Sequence, residues 1–268
     1  MSKQKFIVID VSLCHDCNNC FMACKDEHVG NRWAPYTDEQ PRHGHRWVNI
    51  LSKERGQCPR IDVAYLPVMC QHCEKCPLVD AGFAARREDG IVLIDMEKAK
   101  GRKDAMEMCP YGSVYYNDEA DVPQKCTMCA HIMDCGQEPC MPRCVHSCPT
   151  EAMKFYELEP DEMAKKIEEE KLDVYRAELG TMPHVFYKNL YRFEKAFIAG
   201  GIVKDDECAE GVTVTLKGNG VETTDVTDYF GDFKFDALQA GTYTLEIEGK
   251  TVKTVELEES QNVGSIFI

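Results

Sequence analysis

Two kinds of patterning divide the chain. Up to about residue 160, short apolar runs are separated by polar loops. Beyond about residue 198, apolar and polar positions alternate. Phe-Ile-Val-Ile-Asp at 6–10 is an apolar, β-branched run that predicts a strand leading into a loop. Gly-Ile-Val-Leu-Ile-Asp at 90–95 predicts a second strand after an acidic turn at 88–90, and Val-Tyr-Tyr-Asn at 114–117 a third. Residues 25–65 interrupt this rhythm as a long polar stretch with His, Arg, Pro and Trp, and read as an insertion. Residues 160–172 predict a helix. Pro160 and the acids Glu159, Asp161 and Glu162 suit its start, Asp161/Lys165 and Glu162/Lys166 have favourable i,i+4 spacing, and Met163 and Ile167 make a narrow apolar stripe. Residues 181–199 look irregular and aromatic, a connector. Segments 212–216, 233–235, 242–247, 251–257 and 264–268 predict short strands, punctuated by turns at 217–220, 229–231, 239–241 and 248–250. Strands of that length between Gly turns indicate a small β-sandwich.

The 268 residues are enough for about two domains. A net charge of −15 repels phosphate backbones, which argues against nucleic-acid binding. The charge is uneven: residues 201–268 carry a net of −9 and residues 1–200 a net of −6. No apolar run approaches the ~20 residues that span a bilayer, so direct membrane insertion is not expected. The first ten residues have neither an apolar signal core nor twin arginines, so the expected location is cytoplasmic, with export alongside a signal-bearing partner left open.

The chemistry lies in the cysteines. Fifteen of sixteen fall between Cys14 and Cys148. A reducing cytosol disfavours a disulfide scaffold. Cys14, Cys17, Cys20 and Cys24 form a C-x2-C-x2-C-x3-C run, the spacing of 4Fe–4S ligation, in which the fourth cysteine serves the other cluster of a pair. Cys109-Pro110 and Cys148-Pro149 carry the proline that follows a closing ligand, without a complete run just before them. The expected sites are therefore Cys14, Cys17, Cys20 and Cys148; Cys126, Cys129, Cys144 and Cys24; and Cys70, Cys73, Cys76 and Cys109. Cys140 stands from Cys144 as Cys144 stands from Cys148, and only Pro149 favours the chosen pair. Cys58, Cys135, Cys140 and Cys208 remain and read as small apolar fillers, with Cys58 or Cys140 as competing ligands. His15, His72, His131 and His146 lie close to ligands but lack the paired spacing of histidine ligation, so neighbouring or surface roles are expected. Cysteine loops alternating with short strands and helices describe a ferredoxin-like architecture. The expected class is α+β: a ferredoxin-like multi-cluster domain over 1–158 with its insertion at 25–65, a helix and aromatic connector over 159–197, and the all-β sandwich over 198–268.

Lys-Cys-Thr-Met-Cys-Ala-His at 125–131 and Cys-Val-His-Ser-Cys-Pro-Thr at 144–150 complete a pattern that resembles the electron-transfer subunits of the dimethyl sulfoxide reductase family of molybdenum enzymes. Such subunits usually hold four clusters. Here residues 104–108 lack the cysteines that would open one motif, and Gly82 stands where another would end, so the resemblance implies three clusters. Leu78 occupies the family's third ligand position at the Cys70 site, and Cys76 is expected to take over. Cys17–Met22, Gly44-His-Arg-Trp47, residues 87–95, 109–112, 187–195 and 230–238 extend the likeness to the branch that acts on polyhydroxylated aromatics, transhydroxylases and reductive catechol dehydroxylases. The segment at 230–238 also resembles transthyretin-like and carboxypeptidase-regulatory-like sandwiches. The resemblance implies a heteromer with a large catalytic subunit carrying molybdenum and two pyranopterin guanine dinucleotides, and an external electron donor where the reaction needs one. No catalytic residue is expected here, because no nucleophile–base–orienter set is present. The competing readings are an electron-transfer chain of another molybdopterin oxidoreductase, a stand-alone ferredoxin-like carrier, and a zinc-stapled scaffold, since C-x2-C pairs also suit zinc.

Overall fold

The computed structural model describes residues 2–136 and 138–268. The chain forms two units, one from residues up to Leu51 together with Tyr65–Leu190, the other from Ser52–Ala64 and Tyr191–Ile268.

In the first unit, strand Gln4–Asp10 is the centre of a three-stranded sheet. Met153–Leu158 pairs with it antiparallel and Val185–Lys188 parallel. Phe6, Ile7, Val8 and Ile9 are all buried, so the run is apolar without alternation, as a strand covered on both faces must be. Helix Pro160–Glu170 covers one face, where Met163 meets Phe6, Val8, Leu172 and Phe186. Two short hairpins follow the expected strands: Val92–Ile94 pairs with Ala84–Arg86, and Tyr115–Asn117 with Val122–Gln124.

Three expectations need correction here. Residues 25–65 are not a featureless insertion: they hold the end of helix Asn19–His28, strand Val48–Gln57 and the start of Arg60–Met69, which pair as a hairpin. Their charged residues sit on strands, which polar composition hides. Residues 181–199 are not irregular, because Val185–Lys188 completes the central sheet with Tyr187 fully buried, and Ala196–Lys204 is a strand. In the helix at 160–170, the Glu162 carboxylate accepts from the Glu159 N–H at 2.9 Å, and Lys166 pairs forward with Glu170. The cap thus uses the carboxylate expected to pair with Lys166.

The second unit begins at Tyr191 and includes residues 52–64, neither of which follows the expected boundary at 198. Its first sheet has Ala196–Lys204 antiparallel to Asp232–Leu238 and Glu207–Cys208 and parallel to Gln261–Phe267. Its second sheet runs in the order Val221–Val226, Thr213–Gly218, Gly241–Ile247 and Lys250–Leu257. Val214 and Leu216, Phe233 and Phe235, Tyr243, Leu245 and Ile247, and Val255 and Leu257 are buried at every second position and share one core. Each such side chain contributes about 1.5–3 kcal/mol through burial. Val221–Val226 carries almost no buried residue, so its residues show no apolar alternation to mark a strand. Within this unit Arg55, 1% exposed, pairs with Asp62 and Asp236 and lies 5.1 Å over the Phe197 ring. Those contacts hold residues 52–64 in the unit.

Candidate metal centre

Three loops repeat one backbone device. In Cys14–Cys17, Cys70–Cys73 and Cys126–Cys129, the residue before the second cysteine has a left-handed conformation: Asp16 at φ 53°, His72 at 48° and Met128 at 53°. Non-glycine residues rarely adopt it, and such outliers cluster where a loop must wrap a ligand. The Asn18 amide donates to the Asp16 carbonyl at 2.9 Å and to its carboxylate at 2.8 Å, which holds the first loop. Helix Asn19–His28 then carries Cys20 and Cys24 one turn apart on its buried face.

Burial and neighbouring cysteines raise many of the thiols. Burial raises the Cys14 thiol, and Cys148 and Cys17 raise it further. Burial pushes Cys20 up to about 12, with Cys14, Cys17 and Cys148 adding to it. Cys24 lies well above the usual thiol range through burial and the charges of Cys126 and Cys129, and Cys144 does so through burial, Cys129, Cys126 and Cys24. Burial takes Cys126 to about 11 and Cys129 to about 12. Cys73 is pushed to about 12 by burial, with contributions from Cys70, Cys76 and Cys109. Burial and Cys70 also raise Cys76 and Cys109. These neighbours are the residues that the spacing assigns to common sites.

Influences also cross between the expected sites. Cys20 of the first acts on Cys24 and Cys144 of the second. Cys70 of the third acts on Cys126 of the second. The first group reaches the surface, with Cys17 exposed and Leu13 and Met22 exposed beside it. The middle group is buried at all four positions, and the third is buried at Cys70 and Cys73 and half-buried at Cys76 and Cys109.

Four buried thiols cannot all ionise without cationic charge among them, and iron supplies it. The protein prepares the thiolates with donors. The Met128 N–H reaches the Cys126 sulfur at 3.3 Å. Backbone N–H groups of Asp16, Phe21, Arg143 and Tyr111 lower Cys14, Cys20, Cys129 and Cys109 respectively, and the Thr181 hydroxyl lowers Cys73. Such donors tune a cluster's potential. Among the described residues, no three His, Cys, Asp or Glu side chains converge closely enough for a single metal ion.

The spare cysteines correct an expectation. Cys58, Cys135 and Cys208 are exposed and Cys140 is half-buried, so they are not apolar fillers. The Cys135 thiol donates to the Ile132 carbonyl at 2.9 Å and the Cys140 thiol to that of Met133 at 3.6 Å, where each caps a local carbonyl. Leu78 is 1% exposed and packs with Phe83, Ala99, Ala105 and Val114, while Cys76 joins the third group. His72 accepts the Val92 N–H at 3.1 Å, and His131 bonds Glu27 at 2.9 Å and stacks on Trp33 at 4.3 Å. His15 and His146 are exposed. Sequence reasoning missed Thr181, which carries no motif and reaches Cys73 only through tertiary structure, and Lys125, read only as part of a motif.

Residues 61–158 match the family described as 4Fe-4S dicluster domain. The pyrogallol hydroxytransferase small subunit of Pelobacter acidigallici is 51% identical over 272 residues, covering 99% of this chain and 99% of that protein. A dimethyl sulfoxide reductase iron-sulfur subunit of Halobacterium salinarum is 32% identical, over 68% of this chain and 78% of that protein. The thiosulfate reductase electron transfer subunit of Salmonella typhi is 29% identical, over 66% of this chain and 86% of that protein.

Proposed function

The chain belongs to the iron–sulfur small subunits of pyrogallol hydroxytransferase type, among the electron-transfer subunits of the dimethyl sulfoxide reductase family, and on that premise we propose that it holds three 4Fe–4S clusters for a molybdenum-bearing catalytic subunit that acts on polyhydroxylated aromatics. The observation that carries the reading is one loop device used three times, a left-handed residue before the second cysteine of Cys14–Cys17, Cys70–Cys73 and Cys126–Cys129, around which twelve cysteines can be assigned. The dicluster match at 61–158 contains eight of them, and Cys14, Cys17, Cys20 and Cys24 lie outside it. In the proposed pairing Cys148 crosses to the Cys14 run and Cys24 to the Cys126 run, so the twelve ligands make three sites.

Clusters held there would accept and release single electrons. The protein's own part is to keep the thiolates buried and to aim N–H and O–H donors at their sulfurs. The exposed end at Leu13, Cys17 and Met22 is where a partner can approach. The molybdenum and its two pyranopterin guanine dinucleotides belong to that partner. No helix of the described residues is long and apolar enough to cross a membrane. We place the complex in the cytoplasm, whose reducing conditions keep free thiols available to iron.

The near full-length likeness favours hydroxyl transfer over reductive dehydroxylation as the partner's reaction. Transfer is redox-neutral overall. The anaerobically purified complex should therefore convert pyrogallol in the presence of a polyhydroxylated acceptor with no external reductant. Strict dependence on one equivalent of a two-electron donor per product would replace that reading by dehydroxylation, and inertness towards every polyphenol would sink both.

A further inference from the structure

Lys125 is 4% exposed, yet among the described residues no carboxylate pairs with it. Its ammonium donates to the Val92 carbonyl and, at 3.1 Å, to the Cys126 carbonyl. The Val92 N–H in turn donates to His72 Nδ1 at 3.1 Å, inside the Cys70–Cys73 loop. Residue Val92 thus ties the loop of the third quartet to the lysine that opens the loop of the second. The ammonium is thereby fixed at the start of the Cys126 loop and one residue's bond away from the Cys70–Cys73 loop. Among the described residues, its hydrogen bonds go to Val92 and Cys126 and not to the Cys14–Cys20 loop.

An ammonium held this deep by two carbonyl dipoles alone is costly, because a buried charge needs an opposite charge or it destabilises the fold. The opposite charge is not a side-chain carboxylate. Clusters held by the two loops that Val92 and Lys125 join would supply it. A 4Fe–4S cluster with four thiolates is anionic and gains one more negative charge on reduction. A fixed cation nearby therefore stabilises the reduced form more than the oxidised form.

We propose that Lys125 is a positioning residue that acts through the second and third cluster sites, raising both reduction potentials and leaving that of the Cys14 site unmoved. The proposal rests on the three-cluster reading. Its signature is selectivity: one side chain moves two potentials and spares the third.

The test uses the intact complex with Lys125→Gln, Lys125→Met and Lys125→Arg, purified anaerobically. Gln keeps donors for the two carbonyls and loses the charge; Met loses both; Arg keeps the charge. Iron is counted first, and each cluster's midpoint is then followed by electron paramagnetic resonance in a potentiometric titration. Lys125→Gln and Lys125→Met should retain full iron and lower two midpoints by at least tenfold in the reduction equilibrium, about 59 mV for one electron. The third midpoint should stay in place, and Lys125→Arg should restore the two that moved. Unmoved potentials, an equal shift in all three, or a shift in one alone would overturn the proposal. Loss of iron from the neutral variants would assign Lys125 to folding and overturn it as well. A wild-type complex with no iron would instead refute the three-cluster reading itself.

Discussion

Replacing Cys109 by serine should remove one cluster and leave two. Cys109 is the closing member of the third quartet, 33 positions beyond Cys76. Its thiol is raised by burial and by Cys70 and lowered by the N–H groups of Ser113 and Tyr111, which supports the proposed pairing with the Cys70 loop. A serine hydroxyl is a hard, poorly ionised ligand and does not hold iron–sulfur units as thiolate does. Iron should fall by about four atoms from about 12 per chain. Cys135→Ser is the control: its thiol is exposed and bonded to its own helix, so iron should not change. Anaerobic metal analysis of both variants reads the result directly. Loss of all three clusters, or of none, would break the assignment of Cys109 to Cys70, Cys73 and Cys76.

Phe233→Ala should unfold the sandwich early without emptying the cages. Phe233 is 2% exposed, packs against Phe235 with ring centroids 5.8 Å apart, and belongs to the core shared by both sheets of the second unit. Deleting a ring that large from a close-packed core costs about 3–5 kcal/mol. The transition of that unit should drop by on the order of 10 °C or more in a thermal melt of the complex. All twelve proposed ligands lie in the other unit, so iron should stay constant at low temperature. A melt that does not move would show that this core does not limit the unit's stability, and iron loss at low temperature would show that the two units are not independent in this respect.

The three cysteine loops were legible because C-x2-C spacing is local, and each takes the same left-handed turn at Asp16, His72 or Met128. Three cysteines at fixed spacing must sit on one loop, and the prolines after Cys109 and Cys148 mark closures that spacing alone leaves open. The strands at 6–10 and 242–247 were legible because β-branched and alternating apolar residues have few other uses. Other features live only in three dimensions. Thr181 meets Cys73 across more than a hundred residues of chain, with no local pattern to announce it. Arg55, a charged residue in a polar stretch, is buried because Asp62 and Asp236 surround it. Strand Val221–Val226 has no apolar face because it is an exposed edge, held by backbone pairing to Thr213–Gly218. The surface positions of Cys58, Cys135 and Cys208 were misread because cysteine is usually buried, a tendency of the residue type that says nothing about a given site.

The most direct test is metal analysis of the complex purified anaerobically from its native cell, with iron, zinc and molybdenum counted per copy of this chain. The account predicts about 12 iron from this chain, after subtraction of any cluster on the partner, with molybdenum in the same complex. Zinc in place of iron, or iron near eight with all twelve cysteines intact, would contradict it.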